Sequence, residues 1–291
     1  MVEKSTFSER VFMVIVYVLL GLLALACLYP MVHVLFASIS DPLKLMLHSG
    51  TLLWPKGFSL KGYEIVLANK NIATGYMNTL IYLGAGTAIN MLLTTLGAYA
   101  LSRKGYMFKK TITLIIVFTM YFSGGLIPNF LLVKGIGIYN TRWALLLPTA
   151  IATWNLIVMR TSFQSIPESL EESAKIDGAN DYTVLFRIFL PVSKATLAVM
   201  MLFYAVGHWN AWFNAMVYLR DRKLYPLQLF LREILLANSS ANSVNPDADV
   251  YFLDEVIKFA TIIISTIPIL FVYPFVQRYF MSGVMLGSLK E

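Results

Sequence analysis

One cysteine, Cys27, stands among 291 residues, which excludes an intrachain disulfide framework. Charge is also scarce. Asp, Glu, Lys and Arg make up 13% of the chain, against about a quarter in a typical soluble domain. Meanwhile 58% of residues are hydrophobic and the mean hydropathy is +0.68, a balance suited to a bilayer rather than to water. The dipeptide Gly-Lys never occurs. There is therefore no phosphate-binding loop of the G-x-x-x-x-G-K-[ST] type, and any use of ATP must take place on a partner. No loop offers a nucleophile–base set or a cluster with metal-ligand spacing, so neither a catalytic residue nor a metal site is expected. The net charge of +7 is spread over loops without a long basic tract, which argues against nucleic acid as a partner.

What the chain does have is apolar runs. A helix needs about 20 apolar residues to cross the roughly 30 Å hydrocarbon core. Six runs meet or approach that, at about 11–37, 77–101, 111–133, 142–160, 193–217 and 258–280. Backbone polar groups cannot stay unpaired in lipid, so each run is expected to be helical. The result is an all-α polytopic membrane protein with six transmembrane helices. Pro30, Pro128, Pro148, Pro268 and Pro274 are expected to break or kink them, and "SGGLIPNF" at 123–130 is the weakest stretch. The first run continues about ten residues past Cys27, so it reads as an uncleaved span rather than a signal peptide. Arg103, Lys104, Lys109 and Lys110 crowd the connection "SRKGYMFKK", which assigns that loop to the cytoplasm. Alternation then places both termini and residues 161–192 there too, although Lys and Arg in the longer outside loops weaken the asymmetry.

The spans hold almost no ionisable residues at their centres, which speaks against a proton- or sodium-coupled carrier. The exception to the general greasiness is "EESAKIDGANDYTVLFRIFLP" at 171–191, a polar segment between two apolar runs. Ser165 and Glu168 have capping-box spacing, and Pro167 suits a first helical turn. Gly178 is a natural helix stop, and Asn180 or Asp181 can cap a second helix through about Phe189. Pattern alone gives a helix–turn–helix on the cytoplasmic face, and an ordinary amphipathic loop on the bilayer surface fits it equally well.

The residue string goes further. Glu172, Ser173 and Ala174 are followed by three residues and Gly178, and nine residues later come Ile188, Phe189, Leu190 and Pro191. This resembles the EAA motif of ATP-binding-cassette importer permeases (E-A-A, three residues, G, nine residues, I-x-L-P), with Ser173 in place of the usual Ala. From about residue 70 onward the chain is similar to the smaller permease of the maltose-type, binding-protein-dependent carbohydrate-uptake family. "YFSGGLIPNFLLVKGIGIYNTRWALLLP" and "VQRYFMSGVMLGSLKE" resemble its complex-oligosaccharide subgroup in particular.

That resemblance implies the type I importer permease fold. Residues 1–70 would form a first helix and external loop, 71–283 the permease core, and 284–291 a cytoplasmic tail. The segment at about 167–190 would be the coupling helix seated on an ATPase. There Glu172, Ser173, Ala174, Asp177 and Gly178 would meet the partner, Ile188 and Leu190 would anchor the second helix to the spans, and Pro191 would close the unit. Implied partners are a second homologous permease in a heterodimer, two ATP-binding cassette subunits holding ATP and Mg, and an extracellular or periplasmic solute-binding protein delivering an oligosaccharide. The implied location is the bacterial cytoplasmic (inner) membrane. Gln277–Glu291 would reach between the ATPases, and the outer loop from about Arg220 to Lys258 would face the binding protein.

Aromatic and amide side chains suit the C–H faces and hydroxyls of sugars. "YAVGHWNAWFNA" puts Tyr204, His208 and Trp212 at four-residue spacing, with Trp209 and Phe213 beside them and Asn210 four residues from Asn214. Trp154 and Asn155 form a similar pair in the fourth run. Ordinary helix packing and interfacial belts explain such residues as well as a substrate path does. A channel or secondary carrier for small polar solutes is the alternative to the importer reading, and a membrane enzyme is a weaker one.

Overall fold

A computed structural model of the chain describes residues 6–105, 107–240, 253–271 and 274, and among these every regular element is helical. Two compact units form. One draws on the described residues up to Asn69 and within Ile234–Ile267, the other on Lys70–Glu233.

The first unit is led by α1 (Phe7–Ser38), whose start is closed by the Thr6 N–H donating to the Glu9 carboxylate at 2.8 Å. No residue of its most apolar stretch is buried, and Pro30 lies inside the helix without ending it. Only its last turn enters a core. There Ala37 and Ser38 are buried, and the Ser38 hydroxyl meets the Tyr63 hydroxyl at 2.7 Å. The short α2 (Pro42–Met46) is capped by Asp41, and α3 (Lys61–Ala68) follows. Gly62 of α3 packs against Val256 and Ala260 of a helix over 253–271. That helix contains Pro268 without a break, and part of the expected sixth run, 275–280, lies outside the described residues.

The second unit is built around α4 (Lys70–Ser102), 33 residues and about 50 Å long at 1.5 Å per residue. Gly75, Gly86 and Gly97 recur at eleven residues, three turns apart, along one side. At Gly86 the His208 ring occupies the space a Cβ would need. Gly75 likewise faces the Leu227 backbone and Phe230, and Gly97 faces Leu156. The helix is thus a column that neighbours approach to backbone distance.

Those neighbours are discontinuous. α5 (Lys109–Tyr121) and α6 (Leu126–Gly135) meet at a bend of 116° across Phe122–Gly125, where Gly125 has φ 85°. Pro128 falls in the first turn of α6, where its missing N–H would have had no partner anyway. The expected fourth span is divided into α7 (Trp143–Leu146) and α8 (Thr153–Gln164) by an unwound stretch around Pro148. After α9 (Glu168–Ile176) comes one continuous helical stretch: α10 (Asp181–Val184), a π-helical turn at Leu185–Phe189, and α11 (Leu190–Val192). It bends by 87° at Ser193 into α12 (Lys194–Trp209). The expected fifth span does not continue to 217, because α12 stops at Asn210 and α13 (Phe213–Tyr218) starts afresh. α14 (Leu227–Ser240) begins in this unit. Among the described residues only α1 and α4 are single helices long and apolar enough to cross a bilayer, with the two bent pairs as further candidates.

Breaking a helix in an apolar slab frees peptide groups that must be paired. α4 and α12 do this for the Pro148 break. Asn90, fully buried, donates its amide to the Thr149 carbonyl at 2.6 Å. Its remaining Oδ1 can only accept, so His208, at 2.6 Å, donates through Nε2. The Ala152 N–H donates to the Tyr204 hydroxyl at 3.1 Å, and that hydroxyl shares a second hydrogen bond with Thr94 Oγ1 at 2.6 Å. At the other end of α4, Asn78 donates to the carbonyls of Lys223 and Tyr225, and Tyr82 to that of Leu224. Replacing Asn90 with Leu strands both the Thr149 carbonyl and the His208 ring. Unsatisfied buried groups cost about 1–3 kcal/mol each, so Asn90→Leu is expected to lower the thermal unfolding midpoint of the detergent-solubilised chain. A midpoint unchanged from the parent would show that the break is paired by other means.

Candidate functional site

The polar segment folds as the two-helix hairpin α9–α10. α9 is entered through Ile166–Pro167. Here the expected capping box does not form, because Ser165 is the C-cap of α8 and its hydroxyl donates back to the Ser162 carbonyl at 2.8 Å. Pro167 accordingly occupies the cap position rather than the first turn. The helix ends in a Schellman motif. Gly178 sits at φ 81°, its N–H donates to the Lys175 carbonyl, and the Ala179 N–H donates to the Ala174 carbonyl at 2.9 Å. Asn180 then caps α10 through the Thr183 N–H at 2.8 Å. Pro191 has no N–H to continue the ladder. The π-helical turn just before it absorbs the fault, with the Leu190 N–H reaching five residues back to the Leu185 carbonyl.

One side of the hairpin is locked to the bundle. Arg103, at the end of α4, pairs with Glu171 and donates to the Phe163 carbonyl at 3.2 Å. Its guanidinium carbon also stands 4.2 Å from the centroid of the Phe189 ring. Both partners of the ion pair are mostly buried, their side chains 16% and 14% exposed. Lys175 pairs with the same carboxylate at 2.8 Å and with Asp181 at 3.5 Å. Burial pushes the Glu171 carboxyl up, but hydrogen bonds from Lys175 and Arg103 together with their charges hold it, on balance, below the ordinary carboxylate range. The Glu171 hydrogen bond in turn raises Lys175. Lys104 and Glu168 also pair, at 2.7 Å, but in the open, where such a bridge is worth little. Ala174, Ile188 and Leu190 pack on the core cluster of Phe163, Leu185 and Phe189.

The other side is open. Glu172, Ser173, Ile176, Asp177 and Gly178 are exposed, Ile176 at 86%. Tyr182, Phe186 and Pro191 of the second arm are exposed as well. The side chains of Glu172 and Asp177 make no hydrogen bond or ion pair with any described residue. The motif positions thus divide into an anchored set (Ala174, Ile188, Leu190) and a presented set (Glu172, Ser173, Asp177).

Farther along α8 and α12 lies a cavity of about 540 Å³. Trp154, Asn155, Tyr204, His208 and Trp212 all line it, with Asn90 and Asn210. Trp209 does not. It is buried on the opposite side of α12 against Tyr76, ring centroids 6.4 Å apart. Trp212 is off the face it was expected to share with Tyr204 and His208, because α12 has ended before it; it stacks instead under Arg232 at 4.6 Å. The expected Asn210–Asn214 pair is likewise divided between α12 and α13, and Asn210 donates to the Val206 carbonyl. Sequence reasoning passed over Asn90 and Thr94 as site residues, though a polar side chain in the middle of an apolar run was the available signal. It also took Arg103 only as a loop charge. No group of His, Cys, Asp and Glu suited to a metal occurs among the described residues. The tail Gln277–Glu291 and most of the polar loop at 238–249 lie outside them.

No protein-family model matches the chain. It is 40% identical over 290 residues to the polygalacturonan/rhamnogalacturonan transport system permease protein YtcP of Bacillus subtilis, covering 97% of this chain and 99% of that one. It is 25% identical over 288 residues to the diacetylchitobiose uptake system permease protein NgcG of Streptomyces coelicolor, covering 97% and 91%. Among solved structures it superimposes on a chain of a bacterial ABC transporter involved in the import of the acidic polysaccharide alginate. There the TM-score is 0.86 and the identity 35%, over 95% of this chain and 99% of that one. With a helical fold of that shape and identity sustained over nearly its whole length, the chain belongs to the permeases of ABC sugar-transport systems.

Proposed function

We propose that this permease is one half of a transmembrane heterodimer that imports oligosaccharides, driven by two ATP-binding cassette subunits that grip the α9–α10 hairpin. The observation that carries the reading is the division of the hairpin into a side clamped by Arg103 and a side that presents Glu172, Ser173, Ile176 and Asp177 with no partner among the described residues. ATP and Mg are held by those partners, and this chain contributes no catalytic residue. Six crossings are completed by the broken elements α5–α6, α7–α8 and α12–α13 together with α1, α4 and the helix over 253–271. Both termini and the hairpin then share the cytoplasmic side of the bacterial membrane, and an outside solute-binding protein delivers the substrate. The relatives support a glycan cargo, and two of them, a polygalacturonan system and an alginate importer, suggest one bearing uronates. The cavity lining is aromatic and amide, with no Lys or Arg. In this chain it suits hydroxyls and C–H faces, and carboxylate groups would be met by the other permease.

Three outcomes are expected of the assembled transporter. A Cβ at Gly178 meets no atom within 4 Å, so a substitution there acts through φ alone. Gly178→Val should cost about 1–2 kcal/mol in the turn and uncouple ATP hydrolysis from vesicle uptake, with Gly178→Ala intermediate. Unimpaired uptake by Gly178→Val would remove the hairpin from the mechanism. The lowered Glu171 carboxyl stabilises the clamp at every pH above the ordinary value of 4.5, and that contribution is lost as pH falls through its lower folded value. Hydrogen exchange of the hairpin amides, corrected for intrinsic rates, should therefore accelerate below about pH 4 in the parent and show no such step in Glu171→Gln. Trp154 is 62% exposed and packs little, so Trp154→Ala should raise the half-saturating concentration for oligogalacturonate uptake several-fold while leaving ATPase retention intact. An unchanged value would exclude Trp154 from the path.

A further inference from the structure

Beside the hairpin, on the side of α8 facing α5, lies a groove that neither the coupling surface nor the cavity uses. It encloses about 470 Å³ and is lined by Lys109, Lys110, Thr113, Leu114, Val117 and Arg160. Three cations share one rim. Lys109 spends its ammonium on the carbonyls of Ser102 and Arg103, and Arg160 donates to the Leu101 carbonyl, so their hydrogen bonds go to neutral groups. Lys110 is exposed and bonds to no described residue. Among the described residues no carboxylate pairs with any of the three. Lys109 also borders the adjoining pocket of Glu168, Glu171, Glu172 and Lys175, where Glu168 and Glu171 are already paired with Lys104, Arg103 and Lys175.

The placement is unfavourable on its own. Lys109 and Lys110 open α5, and a helix N-terminus carries partial positive charge that disfavours cations there. Phe108, which caps that helix, also holds a left-handed φ of 59°, rare for an aromatic residue. An anion seated at the rim would offset the helix terminus and all three side chains together. Away from the rim the groove is formed by Thr113, Leu114 and Val117. Phe118 and Tyr121, farther along α5, are exposed as well. A charged rim continuing into an apolar trough along a membrane helix matches an amphiphile with an anionic head and an acyl tail.

We infer that this groove binds an anionic phospholipid, with the phosphate at Lys109, Lys110 and Arg160 and an acyl chain along Leu114 and Val117. Basic pockets beside membrane helices recognise such headgroups, each Lys or Arg near the surface contributing about fivefold in affinity. The inference rests on the membrane placement of α5 and is independent of the coupling and sugar readings.

The test is native mass spectrometry of the purified full-length chain released from detergent containing equal amounts of phosphatidylglycerol and phosphatidylcholine. The parent should retain phosphatidylglycerol over phosphatidylcholine. Lys110→Gln, at an exposed position without a partner, should lose about fivefold of that preference, and Lys110→Gln with Arg160→Gln about 25-fold. Lys44→Gln, remote in sequence and exposed, should lose none. Equal retention of the two lipids by the parent overturns the inference. So does a preference untouched by Lys110→Gln, or displacement of phosphatidylglycerol by inorganic phosphate at millimolar concentration, which would make this a site for the free anion.

Discussion

A peptide group freed inside hydrocarbon has nowhere to turn but to another part of the protein, and this constraint organises the second unit. The chain breaks its helices where continuous ones were available. The breaks around Pro148 and at 223–225 take a donor or acceptor delivered from the side, and α4 is the element that supplies it. Its polar residues are placed opposite the breaks: Asn90 at the Thr149 carbonyl, Thr94 through Tyr204 at the Ala152 N–H, Asn78 and Tyr82 at the carbonyls of 223–225. Close approach is the other requirement. The glycines at 75, 86 and 97 let neighbours come near enough for short side chains such as Asn and Thr to span the gap. The column is thus both the most regular helix of the unit and the one least able to be replaced by a generic apolar sequence.

At the hairpin the same economy is applied to charge. Burying a guanidinium is costly unless its donors and charge are all met, and Arg103 meets them with one carboxylate, one carbonyl and an aromatic face. A Lys could not do this, since a single ammonium has neither the planar fork nor the flat face that stacks on Phe189. The ends of α4, α8, α9 and the π-helical turn are therefore held at one point. The outer face of α9 is left without internal obligations. A surface with an exposed isoleucine and two carboxylates unpaired among the described residues, beside small Ser173, is well suited to being covered.

Much of this was legible in the sequence, and the reasons differ by element. The long runs of α1 and α4 declared themselves by hydropathy, and Gly178 and Asn180 by turn chemistry, because those signals are local. The expectation of a coupling role for the hairpin came from a motif whose spacing spans 20 residues, not from its amphipathicity, which an inert surface loop would share. The breaks were less visible. Pro148 does interrupt its span, but Pro30 and Pro268 lie inside helices, so proline alone does not say where a helix ends. The termination of α12 at Asn210 carries no proline at all, and with it went the expectation that Trp212 shares a face with Tyr204 and His208. Four-residue spacing implies a common face only while the helix continues. Arg103 was hidden for a different cause: its partners are 60 to 86 residues away in sequence, and nothing in a loop of four cations marks which one is buried.

These features bear on how a push at the hairpin could be felt at the cavity. α8 carries Phe163, under the hairpin, and Asn155, in the cavity wall, eight residues or about 12 Å apart on one helix. α12 begins at the bend that ends the hairpin and reaches the cavity with Tyr204 and His208. Two rods therefore join the two sites; α12 meets α4 through the His208–Asn90 and Tyr204–Thr94 bonds, and the start of α8 is tied to that pair through the Ala152 N–H on Tyr204. Transmission requires an element with two arrangements, since rods alone only share a position. The unwound stretch around Pro148 fits that requirement. It leads into α8, and its backbone is tied by the side chains of Asn90 and Tyr204 rather than by a helical ladder. On this argument the polar stitches that make the break tolerable in the membrane are also what leaves it able to move.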